Sequence, residues 1–283
     1  MAMPTLAITG ASGHLGRLVT QELLDRGVAA DDLVLITRTP DALADRQNVR
    51  HGDWTAPDTL VEAYAGVDRV LLISGDDLAT RLEGHLAAID AAKAAGVQRV
   101  IYTSAGNPVP ENPVAVGPSH RGTEEALRAS GLNWISLRNA LYAEFQIPDF
   151  QGAIATGRLV SNQGGGRTTY ISREDCAAAA AGALLSDAEN VVYEVTGTEL
   201  LSAADKAALA SDLGGKPVEL VLVDDDAFIA GLQEHGIPAE GAKVIASFGR
   251  AVREGYLDQL SDAVQQLAGR PPRSLRDVVA PAL

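Results

Sequence analysis

One stretch near the start of the chain constrains its fold more than any other: Thr9-Gly10-Ala11-Ser12-Gly13-His14-Leu15-Gly16. Residues 5–9 lead into it as a short apolar run, and residues 14–26 follow with the spacing of a helix. A chain that passes from strand to helix in so few residues must turn tightly. The glycines meet that need in different ways. Gly10 makes the turn, Gly13 leaves the backbone uncovered, and Gly16 lets the helix lie close against the strand. Backbone N–H groups and the helix dipole then converge on one spot, which suits an anionic group.

The alternation continues down the chain. Strands are expected at 33–37, 48–52, 69–74, 99–104 and 134–138, with helices at 58–64, 80–95 and 119–130. Gly96 and Gly131 stand where helices should stop. The strands are short and continuously apolar, as when helices cover both faces of a parallel sheet. This pattern predicts an α/β fold with a doubly wound parallel sheet of Rossmann type. Beyond about residue 145 the rhythm loosens. A Gly164-Gly165-Gly166 loop, a helix over 172–185, strands at 191–195 and 218–223 and a mostly helical remainder suggest a smaller substrate-side region. The expected division is 1–145 and 146–283, the second part being partly woven back into the first. Charged stretches at 205–213 and 258–267 are expected to be solvated helix faces.

Composition removes several classes of function. The 283 residues carry a formal net charge of −14, which repels phosphate backbones and anionic membranes and argues against a nucleic-acid partner. The one cysteine, Cys176, lies in a nearly all-alanine run, where a small buried residue is expected and no intrachain disulfide can form. His14, His51, His85, His120 and His235 are scattered, so no metal site is expected. Residues 1–10 lack the segments of a secretory leader, and no apolar run approaches the ~20 residues of a membrane span. A soluble cytoplasmic protein acting on a small molecule is the expectation, and the oligomeric state is left open.

Between a strand and a helix, the glycine motif predicts a dinucleotide pyrophosphate site. The end of the second strand distinguishes NAD from NADP. An acidic residue there would bind both ribose hydroxyls, but the stretch is Ile36-Thr37-Arg38-Thr39-Pro40. Arg38 can pair with a 2′-phosphate, so the expected cofactor is NADP(H); the alternative is a solvated surface arginine.

The motif resembles that of extended and atypical short-chain dehydrogenases/reductases. Four further blocks, Arg69-Val70-Leu71-Leu72-Ile73-Ser74, Arg99-Val100-Ile101-Tyr102-Thr103-Ser104, Ile135-Ser136-Leu137-Arg138-Asn139 and Ser172-Arg173-Glu174-Asp175, narrow the likeness. Together they resemble the NmrA-like branch, in particular the group of bacterial NADPH:quinone oxidoreductases and triphenylmethane reductases. The resemblance implies NADPH as hydride donor and a quinone-like or conjugated, electron-poor acceptor. It also implies Asp53 near the adenine, and Ile73, Ser74, Thr103 and Ser104 along the ribose and nicotinamide. Gly10, Ser12, Gly13, His14, Leu15 and Gly16 would hold the pyrophosphate.

One departure matters. Most short-chain dehydrogenases use a Tyr-x-x-x-Lys pair to protonate a carbonyl oxygen. Alignment puts Val116 and His120 at those places, as the resemblance to the quinone-reductase group implies for the histidine. A quinone tolerates the loss, because its reduced oxygen is weakly basic and solvent can protonate it. Such a reaction depends more on stacking and orientation than on a tuned acid. Tyr142, Phe145 and Phe150 follow the strand ending at Arg138 and are candidates for the acceptor pocket, with core packing as the alternative for the two phenylalanines. His120, Tyr142 and Asn139 are the candidate catalytic residues; capping or surface hydrogen bonding is the other explanation for His120. Flavin is not expected. A redox sensor that binds NADP(H) without turnover, or a reductase of a dye, imine or ketone, remains an alternative.

Overall fold

The computed structural model describes residues 3–283; Met1 and Ala2, on which the leader expectation begins, lie outside the described residues. Nearly every expected strand of the first half is present. They are β1 (Leu6–Thr9), β2 (Leu33–Thr37), β3 (Val49–His51), β4 (Arg69–Leu72), β5 (Arg99–Ala105) and β6 (Asn133–Asn139). The intervening helices are α1 (His14–Asp25), α2 (Pro57–Ala63), α3 (Arg81–Ala94) and α4 (Gly117–Ala129). After β6 come β7 (Leu141–Tyr142), α5 (Ile147–Thr156), β8 (Arg158–Ser161), β9 (Arg167–Thr168), β10 (Tyr170–Ile171), α6 (Arg173–Leu185) and β11 (Val191–Val195). The chain ends with β12 (Leu201–Ser202), α7 (Ala203–Gly214), β13 (Glu219–Leu222), α8 (Asp225–Glu234), α9 (Ala239–Arg253), α10 (Ala263–Ala268) and α11 (Leu275–Val279).

The central sheet has seven parallel strands in the order β11-β6-β5-β4-β1-β2-β3. Its order reverses beside β1, so the loops after β1 and β4 diverge and leave a crevice at the carboxyl ends of the strands. Alternate side chains feed two cores. Leu6, Ile8, Leu35, Leu71 and Ile101 face α1, α6 and α10, whereas Ala7, Val34, Val70 and Val100 face α2, α3 and α4. The alanines of α6 are the means of close packing: a Cβ at Gly182 would stand 1.9 Å from the Leu267 carbonyl oxygen. Cys176 is buried in this layer.

A third core joins α5, α7 and α11 to the β8–β13 pair. Two expectations change here. The 205–213 stretch is not wholly solvated, because Lys206, Ala207 and Ala210 are buried on α7. The 258–267 helix shrinks to Ala263–Ala268, and residues 258–262 run as a non-helical link into it. Among the described residues no helix is long and apolar enough to cross a membrane.

Candidate cofactor and acceptor site

The glycine turn has the geometry its spacing requires. Gly10 sits at φ 61°, and its carbonyl accepts the Gly13 amide at 2.9 Å. A Cβ at Gly16 would stand 2.4 Å from the Gly10 carbonyl oxygen, so only glycine lets α1 approach β1 this closely. No side chain caps α1, and the His14 and Leu15 amides have no partner among the described residues. Leaving helix-start donors unmet in an exposed turn is the preparation an anion needs, and the cradle fits a pyrophosphate. Arg17, which the motif does not single out, braces the turn from behind. Its Nε donates to the Ser12 carbonyl and its Nη2 to the Ala42 carbonyl, both at 2.9 Å.

At the end of β2, Arg38 is exposed and makes no hydrogen bond or ion pair among the described residues. Beside it the hydroxyls of Ser12 and Thr37 lie 2.7 Å apart, with Thr39 3.3 Å from Thr37. An exposed, unpaired arginine between two of these hydroxyl-bearing residues in the chain, with no acid at the end of β2, suits a phosphate ester rather than a ribose diol. Asp53 follows β3, whose end is tied to β2 by the Gly52 amide on the Thr37 carbonyl.

Beyond β4 the backbone is held by side chains from three elements. Thr9 Oγ1 accepts the Ile73 amide at 3.0 Å, Thr103 Oγ1 the Ser74 amide at 2.9 Å, and His85 Nε2 the Gly75 amide at 3.3 Å. Ile73, Ser74 and Thr103 therefore form one fixed strip. Ser104 departs from its expected place: its hydroxyl donates to buried Glu124 at 2.8 Å on the far face of β5. Glu124 also accepts from Ser136 and a fork from Arg138 at 2.9 and 2.8 Å. Burial alone would raise this carboxyl; the Arg138 fork, then the two serines, pull it down to about 2.

His120 needs a larger revision. It is buried at the start of α4, with both ring nitrogens engaged. Nε2 accepts from Arg81 Nη1 at 3.2 Å, because arginine can only donate, and this leaves Nδ1 to donate to Tyr102 Oη at 2.7 Å. Tyr102 and His85 lie edge to face at 5.2 Å, and His85 does the same with Trp54 at 5.4 Å. Burial, and then the charge of Arg81, lower both imidazoles to about 3. The ring of His120 is thus neutral and turned inward, and it has no free nitrogen to meet an acceptor oxygen.

The acceptor side is more open. Asn139 ends β6, its Nδ2 lies 3.5 Å from Tyr142 Oη, and its buried Oδ1 has no partner. Burial raises the Tyr142 phenol above its ordinary range. The two phenylalanines separate. Phe150 is buried in the third core with Leu159 and Val279 and does not line the crevice, because its position on α5 faces inward. Phe145 is 64 % exposed and lies 5.8 Å from the Tyr142 ring. The Arg173 guanidinium stands over both rings, 4.9 Å from Tyr142 and 4.7 Å from Phe145.

Taken along the carboxyl edge of the sheet, the residues fall in a meaningful order. Asp53 follows β3, Arg38 β2, the glycine turn β1, Ile73 and Ser74 β4, Thr103 lies on β5, Asn139 ends β6, and Tyr142 follows on β7. That order matches the one expected from the sequence for adenosine, pyrophosphate, nicotinamide and acceptor. Residues 10–187 match the family described as NAD(P)H-binding. Quinone oxidoreductase 2 of Escherichia coli (strain K12) is 33% identical over 281 residues, 97% of each chain. The NADPH complex of an Escherichia coli NADPH-dependent quinone oxidoreductase superposes with a TM-score of 0.93 at 32% identity, covering 97% of this chain and 98% of that one. The Citrobacter sp. triphenylmethane reductase complexed with NADP(H) gives 0.92 at 32% identity, over 98% and 100%. The chain therefore belongs to the NAD(P)H-binding family, within its NmrA-like branch of atypical short-chain dehydrogenases/reductases.

Proposed function

We propose that the protein transfers hydride from NADPH to a quinone-like or otherwise conjugated, electron-poor acceptor, without flavin. The observation that carries this reading is the inward turn of His120, together with Val116 at the usual tyrosine place. The site then offers orientation and no evident acid, which suits an acceptor that needs none. Similarity to a quinone oxidoreductase and a triphenylmethane reductase supports the same acceptor class.

Bound NADPH supplies the hydride. The glycine turn and α1 hold the pyrophosphate, and Arg38 with the Ser12, Thr37 and Thr39 hydroxyls receives the 2′-phosphate. Thr9, Thr103 and His85 fix the backbone strip along the nicotinamide ribose. Asn139, with its unmet carbonyl oxygen, would be available to the nicotinamide end, and Tyr142 with Phe145 would form one wall for the acceptor. The reduced oxygen of the acceptor takes its proton from solvent. His120 acts through Tyr102 and Arg81 as a support, not by contact. The region after residue 145 closes over the acceptor end.

The test is NADPH oxidation against a panel of quinones, triphenylmethane and azo dyes, imines and simple ketones, with a no-acceptor control. Turnover of quinones or dyes, with ketones inert, is the expected result. Turnover confined to ketones would overturn the reading. Tight NADPH binding with no turnover of any acceptor would assign the protein as a redox sensor instead.

A further inference from the structure

We propose that Arg173 makes the acceptor site selective for planar aromatic compounds that carry an anionic substituent, such as a sulfonate or carboxylate. The proposal deepens the reductase reading above by naming a substrate class for the same site.

Arg173 is ion-paired with Glu144 but donates no side-chain hydrogen bond among the described residues. Arg173 opens α6, and its own amide is taken by Glu144 Oε1 at 2.8 Å. The nearest carboxylate oxygen, Glu144 Oε2, is 3.9 Å from Nη1, beyond hydrogen-bond distance. The guanidinium is nonetheless fixed in place, because its carbon lies within 5 Å of two ring centroids. Stacking on Tyr142 and Phe145 orders the planar fork in advance, so a ligand need not order it on binding.

Position supplies the second part. The β7–β10 pairing brings Tyr142 opposite Ile171, two residues before Arg173. Arg173 thus stands beside the residues that close β6, at the acceptor end of the crevice. Phe145 remains 64 % exposed there, so its ring face is open to a ligand. An aromatic ring and a pre-ordered fork side by side match a flat ring bearing an anionic group. With a net charge of −14 the whole chain repels such a ligand, so a local cation decides whether it can bind.

Two measurements separate this proposal from the reading on which it rests. The first uses ligands that cannot accept hydride. Calorimetry of the NADPH-loaded protein should show naphthalene-2-sulfonate binding about tenfold or more tighter than uncharged naphthalene-2-sulfonamide, the low end for a charge-assisted contact. Arg173→Gln should abolish the difference, and Arg173→Lys should restore part of it. Equal affinities in the parent protein, or a difference that survives Arg173→Gln, would overturn the proposal. The second compares 1,2-naphthoquinone-4-sulfonate with 1,2-naphthoquinone as acceptors. In Arg173→Gln the KM of the sulfonate should rise about tenfold more than that of the parent quinone, with the kcat ratio of the two preserved. A parallel rise in both KM values, or a loss carried in kcat, would mean that Arg173 only shapes the wall. If neither quinone turns over but the calorimetric discrimination is present, the reductase reading fails and the Arg173 assignment stands.

Discussion

Two groups of functional side chains lie on either side of the sheet's carboxyl edge, and they are built on opposite principles. The Arg81–His120–Tyr102–His85 group is closed: its rings are buried, its histidines are neutral, and both nitrogens of His120 are taken by Arg81 and Tyr102. The Tyr142–Phe145–Arg173 group is open: it has an exposed ring and a cation with unused donors. The closed group contains the residues usually recruited for proton transfer, yet they are scaffolding, and one of them, His85, holds the Gly75 backbone. The open group contains recognition chemistry. In the proposed reading, the open group selects the acceptor by shape and charge, and protonation is left to water.

The two groups should differ most in stability. Tyr102→Ala should cost about 3–5 kcal/mol, since it empties a packed site and strands His120 Nδ1. Phe145→Ala, on the open side, should stay within about 0.5 kcal/mol. Urea unfolding of the two variants measures the contrast, and similar losses would mean that the open ring is structural.

A second contrast lies between cations. Arg38 is exposed and without a partner among the described residues, whereas Arg81 is sealed in. Arg38→Ala should weaken NADPH by about 1.5–3 kcal/mol and leave NADH little changed. Equal losses for both nucleotides in a fluorescence titration would show that Arg38 does not meet the 2′-phosphate.

Acid sharpens the closed side. The unfolded chain protonates its histidines near pH 6.5, whereas buried His85 and His120 stay neutral down to about 3. Below pH 6.5 the unfolded state therefore binds more protons, and stability falls as the pH drops through that window. Each histidine contributes about 1.4 kcal/mol per pH unit there. His120→Gln should flatten the decline between pH 6 and 4 by about that amount, and an unchanged slope would contradict a neutral, buried His120.

The smallest expected effect is on turnover. His120→Ala and Tyr142→Phe should each lower kcat by about tenfold or less, below the usual range for a general acid. A loss of ~10³-fold with NADPH affinity intact would identify an acid and move the reaction toward carbonyls or imines.

What could be seen in the sequence was local. The glycine turn, the apolar strands and the glycine stops follow from neighbours in the chain, and β1 to β6 lie close to where the pattern puts them. Arg38 was visible because one missing acid at one position carries the argument. The closed group was not visible, because Trp54, Arg81, His85, Tyr102 and His120 come from four elements and meet only through sheet order. Ser104 was misplaced for a related reason: strand alternation turns it to Glu124 while Thr103 faces the crevice. Phe145 and Phe150 look alike in sequence, and only the third core decides which is covered. Arg173 stood within a family block, but the rings beneath it are brought there by the two-residue strands β7 and β10, which are too short to leave a pattern.

The last strand of the main sheet carries a consequence for the birth of the protein. β11 pairs with β6 in register from Val191↔Ile135 to Val195↔Asn139, so 56 residues separate the final partners. On the ribosome, at ~5–20 residues per second, β6 emerges with one edge unpaired for roughly 3–11 s. That edge presents Ile135 and Leu137 and a full row of backbone donors and acceptors, which is a template for pairing with another nascent chain. Until Val195 has cleared the exit tunnel, that edge stays open to such pairing.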